Sequence, residues 1–89
     1  MTAQATAYNV TGTGQVVTGV CTYRGLSVGS TAGAAVVVYD GTSAAGTVLA
    51  SFTLGANGFQ DIALPDGVRC NLGIYVSSTA AIQGHVRVG

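Results

Sequence analysis

Apolar residues in this chain recur at every second position in short runs, glycine punctuates those runs, and no window carries an apolar stripe at helical spacing. Period two belongs to strands whose two faces differ, so the chain reads as all-β. Thr47 to Leu54 sets Val48, Ala50, Phe52 and Leu54 on one face against Thr47, Ser51 and Thr53, with Leu49 out of step. Asn57-Gly58 then offers the positive φ angles of a tight turn, and Phe59 to Leu64 returns with Ile62 and Leu64 inward. Pro65-Asp66-Gly67 carries the residues of a second reversal. Val68 to Ser78 follows, its Leu72, Ile74 and Val76 alternating with Gly73 and Tyr75. These three strands are expected to form a meander.

Upstream, Ala34 to Tyr39 is apolar at both parities, as in a strand covered on both faces in a sandwich core or at an interface, and Asp40 to Gly46 is its exit loop. At the end of the chain Ile82, Gly84, Val86 and Val88 share one face and leave Gln83, His85 and Arg87 on the other. Residues 14 to 28 alternate less cleanly, and Gly19, Gly25 and Gly29 read as bulges or bends. With Gln4 to Val10 the count reaches about eight short strands. The expected fold is a small antiparallel β-sandwich, jelly-roll-like, in one domain spanning residues 1–89. Residues 1–12, small and polar, read as an extended docking arm.

The charge count narrows the function. Only Arg24, Arg69, Arg87, Asp40, Asp61 and Asp66 are charged, and Lys and Glu are absent. At 7% the charged fraction falls far below the roughly 25% of an ordinary domain. Lys and Glu are also the types depleted at protein interfaces, so much of this surface is expected to be covered. A small domain with no Trp and an interior of Ala and Val gains from packing against copies of itself. Zero net charge removes the electrostatic attraction behind non-specific nucleic-acid binding, and no basic cluster addresses an anionic membrane. The longest apolar run, Ala34 to Tyr39, falls well short of the roughly 20 residues of a membrane span. Neither nucleic acid nor membrane is therefore expected as a partner.

Met1-Thr2-Ala3-Gln4-Ala5 has neither the cationic start nor the apolar stretch of a secretory signal, so synthesis in a reducing cytoplasm is expected. There Cys21 and Cys70 read as buried thiols acting as small hydrophobes, with a Cys21–Cys70 bridge or a bridge between subunits as the second reading.

One motif resembles catalytic machinery. Gly25-Leu26-Ser27-Val28-Gly29 matches the G-x-S-x-G elbow, which works by holding Ser on a sharp turn between strand and helix, with Asp and then His later in the chain. No helix follows here, and the triad would have to draw on the sole histidine, His85, with Asp40, Asp61 or Asp66. Ser27 therefore reads as structural, and His85, flanked at i±2 by Gln83 and Arg87, as a polar contact. Asp40 and Asp66 each precede Gly, where the side chain caps its own turn. No carboxylate spacing fits a Ca²⁺ loop and no His or Cys pair fits zinc. Gly12-Thr13-Gly14 followed by Gly19 lacks the third glycine of a dinucleotide fingerprint. No catalytic, cofactor-binding or metal-ligating set is expected. Among Tyr8, Tyr23, Tyr39 and Tyr75, Tyr75 points away from the apolar face of its strand, and reads as a subunit contact ahead of a sugar platform.

Two stretches carry a resemblance. Val36-Val37-Val38-Tyr39-Asp40-Gly41-Thr42-Ser43-Ala44-Ala45-Gly46-Thr47-Val48-Leu49 resembles the strand, Asp-containing loop and strand of small virion proteins of tailed bacteriophages. Gly67 to Ala81, followed by His85-Val86-Arg87-Val88, is similar to their carboxy-terminal pattern of a glycine-bounded segment, a Gly-Ile strand and a final valine strand. The likeness to these head decoration, cement or head-fibre proteins covers about residues 34 to 88. It implies a non-enzymatic β-sandwich, made in the bacterial cytoplasm, that sits on the virion's capsid surface as an oligomer, a trimer by preference, bound to the major capsid protein lattice. The alternatives are another virion part, from tail or fibre, and a small carbohydrate-binding module with exposed Tyr beside Asp or Asn in a groove.

Overall fold

The structure, a computed structural model, describes residues 5–89; Met1 to Gln4, the start of the expected arm, lie outside the described residues. Eight strands form: β1 Thr6–Val10, β2 Gly14–Thr18, β3 Cys21–Ser30, β4 Ala34–Asp40, β5 Thr47–Leu54, β6 Gly58–Cys70, β7 Gly73–Ser78 and β8 Gln83–Val88. They make two four-stranded antiparallel sheets, sheet I in the order β1-β8-β3-β6 and sheet II in the order β2-β7-β4-β5. The all-β class and the sandwich expected from the alternation are what the chain adopts.

The pairing is nested: β1 with β8, β2 with β7, β3 with β6, β4 with β5. The chain is thus one long hairpin, closed by residues 41–46 and rolled up so that each connection except that one steps between sheets, which is jelly-roll winding. The crossings come in pairs, and each pair shares a backbone hydrogen bond. Ile82 N–H donates to Thr11 C=O (3.2 Å), Gly19 N–H to Leu72 C=O (3.0 Å) and Asn57 N–H to Thr31 C=O (3.1 Å). These bonds satisfy backbone groups at the points where the ladders stop. The Thr13 hydroxyl adds a two-way bond to the Ser78 backbone. Asp40, expected to cap its own turn, instead accepts from the N–H groups of Asn71 (3.1 Å) and Leu72 (3.0 Å), because β4 pairs with β7 and brings that corner alongside.

Winding also overturns the meander expected over 47–78. β5 and β7 lie in sheet II and β6 in sheet I, so Asn57-Gly58 turns the chain between sheets. The turn chemistry itself is as expected, with Asn57 at φ 58° and Gly58 N–H donating to Gly55 C=O at 2.8 Å. Turn residues specify a change of direction and leave open which strand pairs next. Pro65-Asp66-Gly67 makes no reversal: β6 runs through it, and Leu64 to Gly67 bulge out where β3 passes from Tyr23 to Gly25. Arg24 Nη1 donates to Pro65 C=O across the bulge at 2.7 Å. The reversal comes at Asn71-Leu72 and splits the expected strand 68–78, leaving Leu72 58% exposed rather than inward. Val48 is 54% exposed because the β4–β5 register slips at Leu49, turning Leu49 toward the core and Val48 outward. Of the segment read as an arm, Thr6–Val10 is an edge strand of sheet I that buries Val10, so the arm reading does not extend to these residues.

Between the sheets lie Tyr23, Leu26, Val28, Val36, Val38, Ile74, Val76, Ile82 and Val86, each with at most 2% of its surface exposed. β-Branched side chains suit this pleated interior, and each fully buried one contributes about 1.5–3 kcal/mol. Ile62 and Leu64 pack against them as expected, and Val86 and Val88 form the buried face of β8.

Two glycines make the central pairings of sheet I possible. Gly25 has φ +113° and faces the Ile62 carbonyl; Gly84 has φ +147° and faces the Ser27 carbonyl. A Cβ at either would collide with backbone, whereas one at Gly12 or Gly14 meets nothing within 4 Å. Gly25→Ala and Gly84→Ala should each cost about 3 kcal/mol or more, while Gly12→Ala and Gly14→Ala stay within about 0.5 kcal/mol, as read by urea denaturation.

Candidate interaction faces

A two-layer sandwich spends one face of each sheet on its core and shows the other to solvent. Charge divides unequally between the two outer faces. Arg24, Arg69, Arg87, Asp61 and Asp66 all belong to strands of sheet I, and sheet II carries only Asp40, whose carboxylate is engaged at the Asn71-Leu72 corner. The outer face of sheet II is therefore uncharged.

Its two inner strands carry an aromatic pair. Tyr39 and Tyr75 are register partners, their ring centroids 6.3 Å apart and tilted by 48°, within the range of a favourable aromatic contact. Val48 continues that row on β5 and Gln15 on β2; Ser77, Val37 and Ser51 form the next. Gln15 Nε2 donates to the carbonyls of Gly41 (3.0 Å) and Ile74 (3.1 Å), lying across the end of the sheet. The apolar double parity of β4 is now accounted for. Val36 and Val38 are core, while Ala35, Val37 and Tyr39 form this second face, which no element among the described residues covers.

On sheet I the register draws a row Asn9, His85, Ser27, Asp61 across four strands. The fold thus gathers the Ser, His and Asp types that the elbow motif raised, although in an order that defeats a triad. A relay needs His between Ser and Asp. Here Ser27 stands between the other two, on a strand with no helix following. Arg87 engages the others, Nη1 donating to His85 Nε2 at 3.2 Å and Nη2 lying 3.4 Å from Asp61 Oδ1. Such a half-exposed ion pair is worth at most about 1 kcal/mol. The arrangement can make polar contacts.

One row further, Gly29 faces Phe59 on one side and Gln83 on the other. The Phe59 ring, 67% exposed, leans over Gly29, and with Ser30, Thr31, Asn57 and Gly58 these residues line a shallow groove of ≈ 340 Å³. Sequence reasoning weighed only tyrosines as platforms and missed it. The signal was present: Phe59 has the parity opposite to inward Ile62 and Leu64. Tyr23, by contrast, is no platform, being fully buried, and Tyr8 lies on the edge strand β1.

Cys21 and Cys70 are both free. Among the described residues no three His, Cys, Asp or Glu side chains converge as a metal site would require. Comparison with protein-family models, with curated proteins and with solved structures finds no match.

The Tyr23 hydroxyl is buried and has no hydrogen-bond partner among the described residues, and burial pushes its pKa up to about 12. Tyr23→Phe should leave the domain as stable or stabilise it by up to about 1 kcal/mol, since an unsatisfied polar group is removed. The pH response follows in sign. The unfolded chain ionises Tyr23 from its ordinary value of 10.0, the folded chain only near about 12, so wild-type stability falls as pH rises through that window. Denaturation midpoints across that window should decline less steeply in Tyr23→Phe.

Proposed function

We propose that this chain is a non-enzymatic structural protein of a bacteriophage virion, a homo-oligomer that docks on the outer capsid surface and stabilises the major capsid protein lattice. The observation that carries the reading is the uncharged outer face of sheet II, with Tyr39 and Tyr75 paired on its two inner strands, in a chain with no Lys or Glu. Aromatics without charge are the composition of a buried contact. The open edges point the same way: β2 and β5 bound sheet II, β1 and β6 bound sheet I, and each presents unpaired backbone groups. The resemblance over residues 34 to 88 supplies the setting. A trimer is the favoured state, since three-fold positions on a shell recruit partners of matching symmetry. Function then follows from linkage: a protein that binds only the assembled shell stabilises it by mass action, and its many copies act together.

The Phe59 groove supports a second reading, a small carbohydrate-binding module, because an exposed ring beside the Gln83 and Asn57 amides can stack on a sugar and bond its hydroxyls.

Light scattering should return about three times the 8.8 kDa chain mass, and the chain should co-sediment with emptied heads of the phage that encodes it. Val37→Asp places a charge on the outer face of sheet II, outside the core, and should lower that mass while the circular dichroism stays that of a folded β protein. A monodisperse monomer that ignores phage heads and is retained by a glycan column would favour the groove.

A further inference from the structure

Cys21 and Cys70 lie far apart in sequence and directly opposite one another in the β3–β6 ladder. Opposed residues of an antiparallel pair have Cα atoms about 4.5 or 5.5 Å apart, according to whether the pair is non-hydrogen-bonded or hydrogen-bonded, and their side chains share a face. A disulfide spans Cα separations of roughly 4.4–6.8 Å, so either kind of pair lies inside the range without backbone movement. The Cys70 thiol donates to the Val68 carbonyl at 3.8 Å on its own strand. Cys21 is half-buried and reachable from solvent; Cys70 is fully buried.

We propose that Cys21 and Cys70 form a disulfide site, a clasp across the end of an edge strand that closes when the protein meets a small-molecule disulfide oxidant such as oxidised glutathione. The Cys21 thiolate attacks one glutathione sulfur, breaks the glutathione S–S bond and releases one glutathione thiolate. The Cys70 thiolate then attacks Cys21 Sγ, forming the Cys21–Cys70 bond and expelling the second glutathione. The protein gives up two electrons and two protons, and one oxidised glutathione becomes two thiols. Burial pushes the Cys70 thiol up to about 12 and the Cys21 thiol upward as well, so both are protonated near neutral pH and the exchange is slow.

The position gives the clasp its consequence. β6 is an edge strand, and beyond the bulge at Leu64 to Gly67 only Val68 to Cys70 still pairs with β3. This short tip leads into the Asn71-Leu72 corner that Asp40 and Gly19 hold. A bond at Cys70 pins the tip and closes a long loop containing β4, β5 and most of β3 and β6. Closing a loop of that length restricts the unfolded chain far more than the folded one.

The test equilibrates the full chain in a glutathione redox buffer, with and without urea, then quenches with an alkylating reagent and weighs the products. The native chain should oxidise with an equilibrium constant about 100- to 1,000-fold above that of the urea-unfolded chain, giving a monomeric product two hydrogens lighter that melts at a higher temperature. Cys21→Ser, altered at a half-buried position, should leave Cys70 resistant to glutathione while native and reactive once unfolded. The proposal is overturned if the native constant equals or falls below the unfolded one, if glutathione remains attached at Cys21, or if bridges form only between chains.

Discussion

Everything in this fold hangs on backbone hydrogen bonds at the places where the chain leaves one sheet for the other. A strand inside a ladder has its N–H and C=O groups satisfied by its neighbours, but a crossing has no ladder. The protein resolves this by making its crossings in adjacent pairs: residues near Thr11 with those near Ile82, Gly19 with Leu72, Thr31 with Asn57. Each pair serves as a short continuation of the ladder it interrupts. The nested strand order keeps these crossings adjacent, so corner bonding and topology support one another.

That constraint also decides what the surface looks like. Rolling a single hairpin assigns β2, β7, β4 and β5 to one sheet, and those are the strands with almost no charge. The arginines and two of the three aspartates go to the other sheet, where Arg87 ties His85 and Asp61 together. The sandwich therefore has one face suited to water and polar contacts and one suited to burial. The size of the interior sharpens the contrast. Valine with Tyr23, Leu26, Ile74 and Ile82 fills the core, while Phe59 and Leu72 stay exposed and Tyr39 and Tyr75 sit half-buried on the outer face of sheet II.

Local chemistry was legible wherever it depended on neighbours in sequence. Asn57 does take the left-handed conformation, Gly25 does accompany a bulge, and residue 49 stood out because it is one. Partnership was illegible. The Asn57-Gly58 turn reads the same whether the next strand joins the same sheet or the opposite one, which is why the expected meander became a crossing. The same gap hid the row of Asn9, His85, Ser27 and Asp61, the groove beneath Phe59 and the register of Cys21 with Cys70.

The sequence by itself determined that this is an all-β sandwich, that β8 has a wet and a dry face, and that little of the surface is charged, because alternation and composition are properties of consecutive residues. Only the tertiary structure decided which strands are neighbours, that Ser27 falls between His85 and Asp61 instead of beside a relay, and that two cysteines on different strands are opposed. Pairing between distant strands is set by how all the corners can be satisfied at once, and no single segment carries that information.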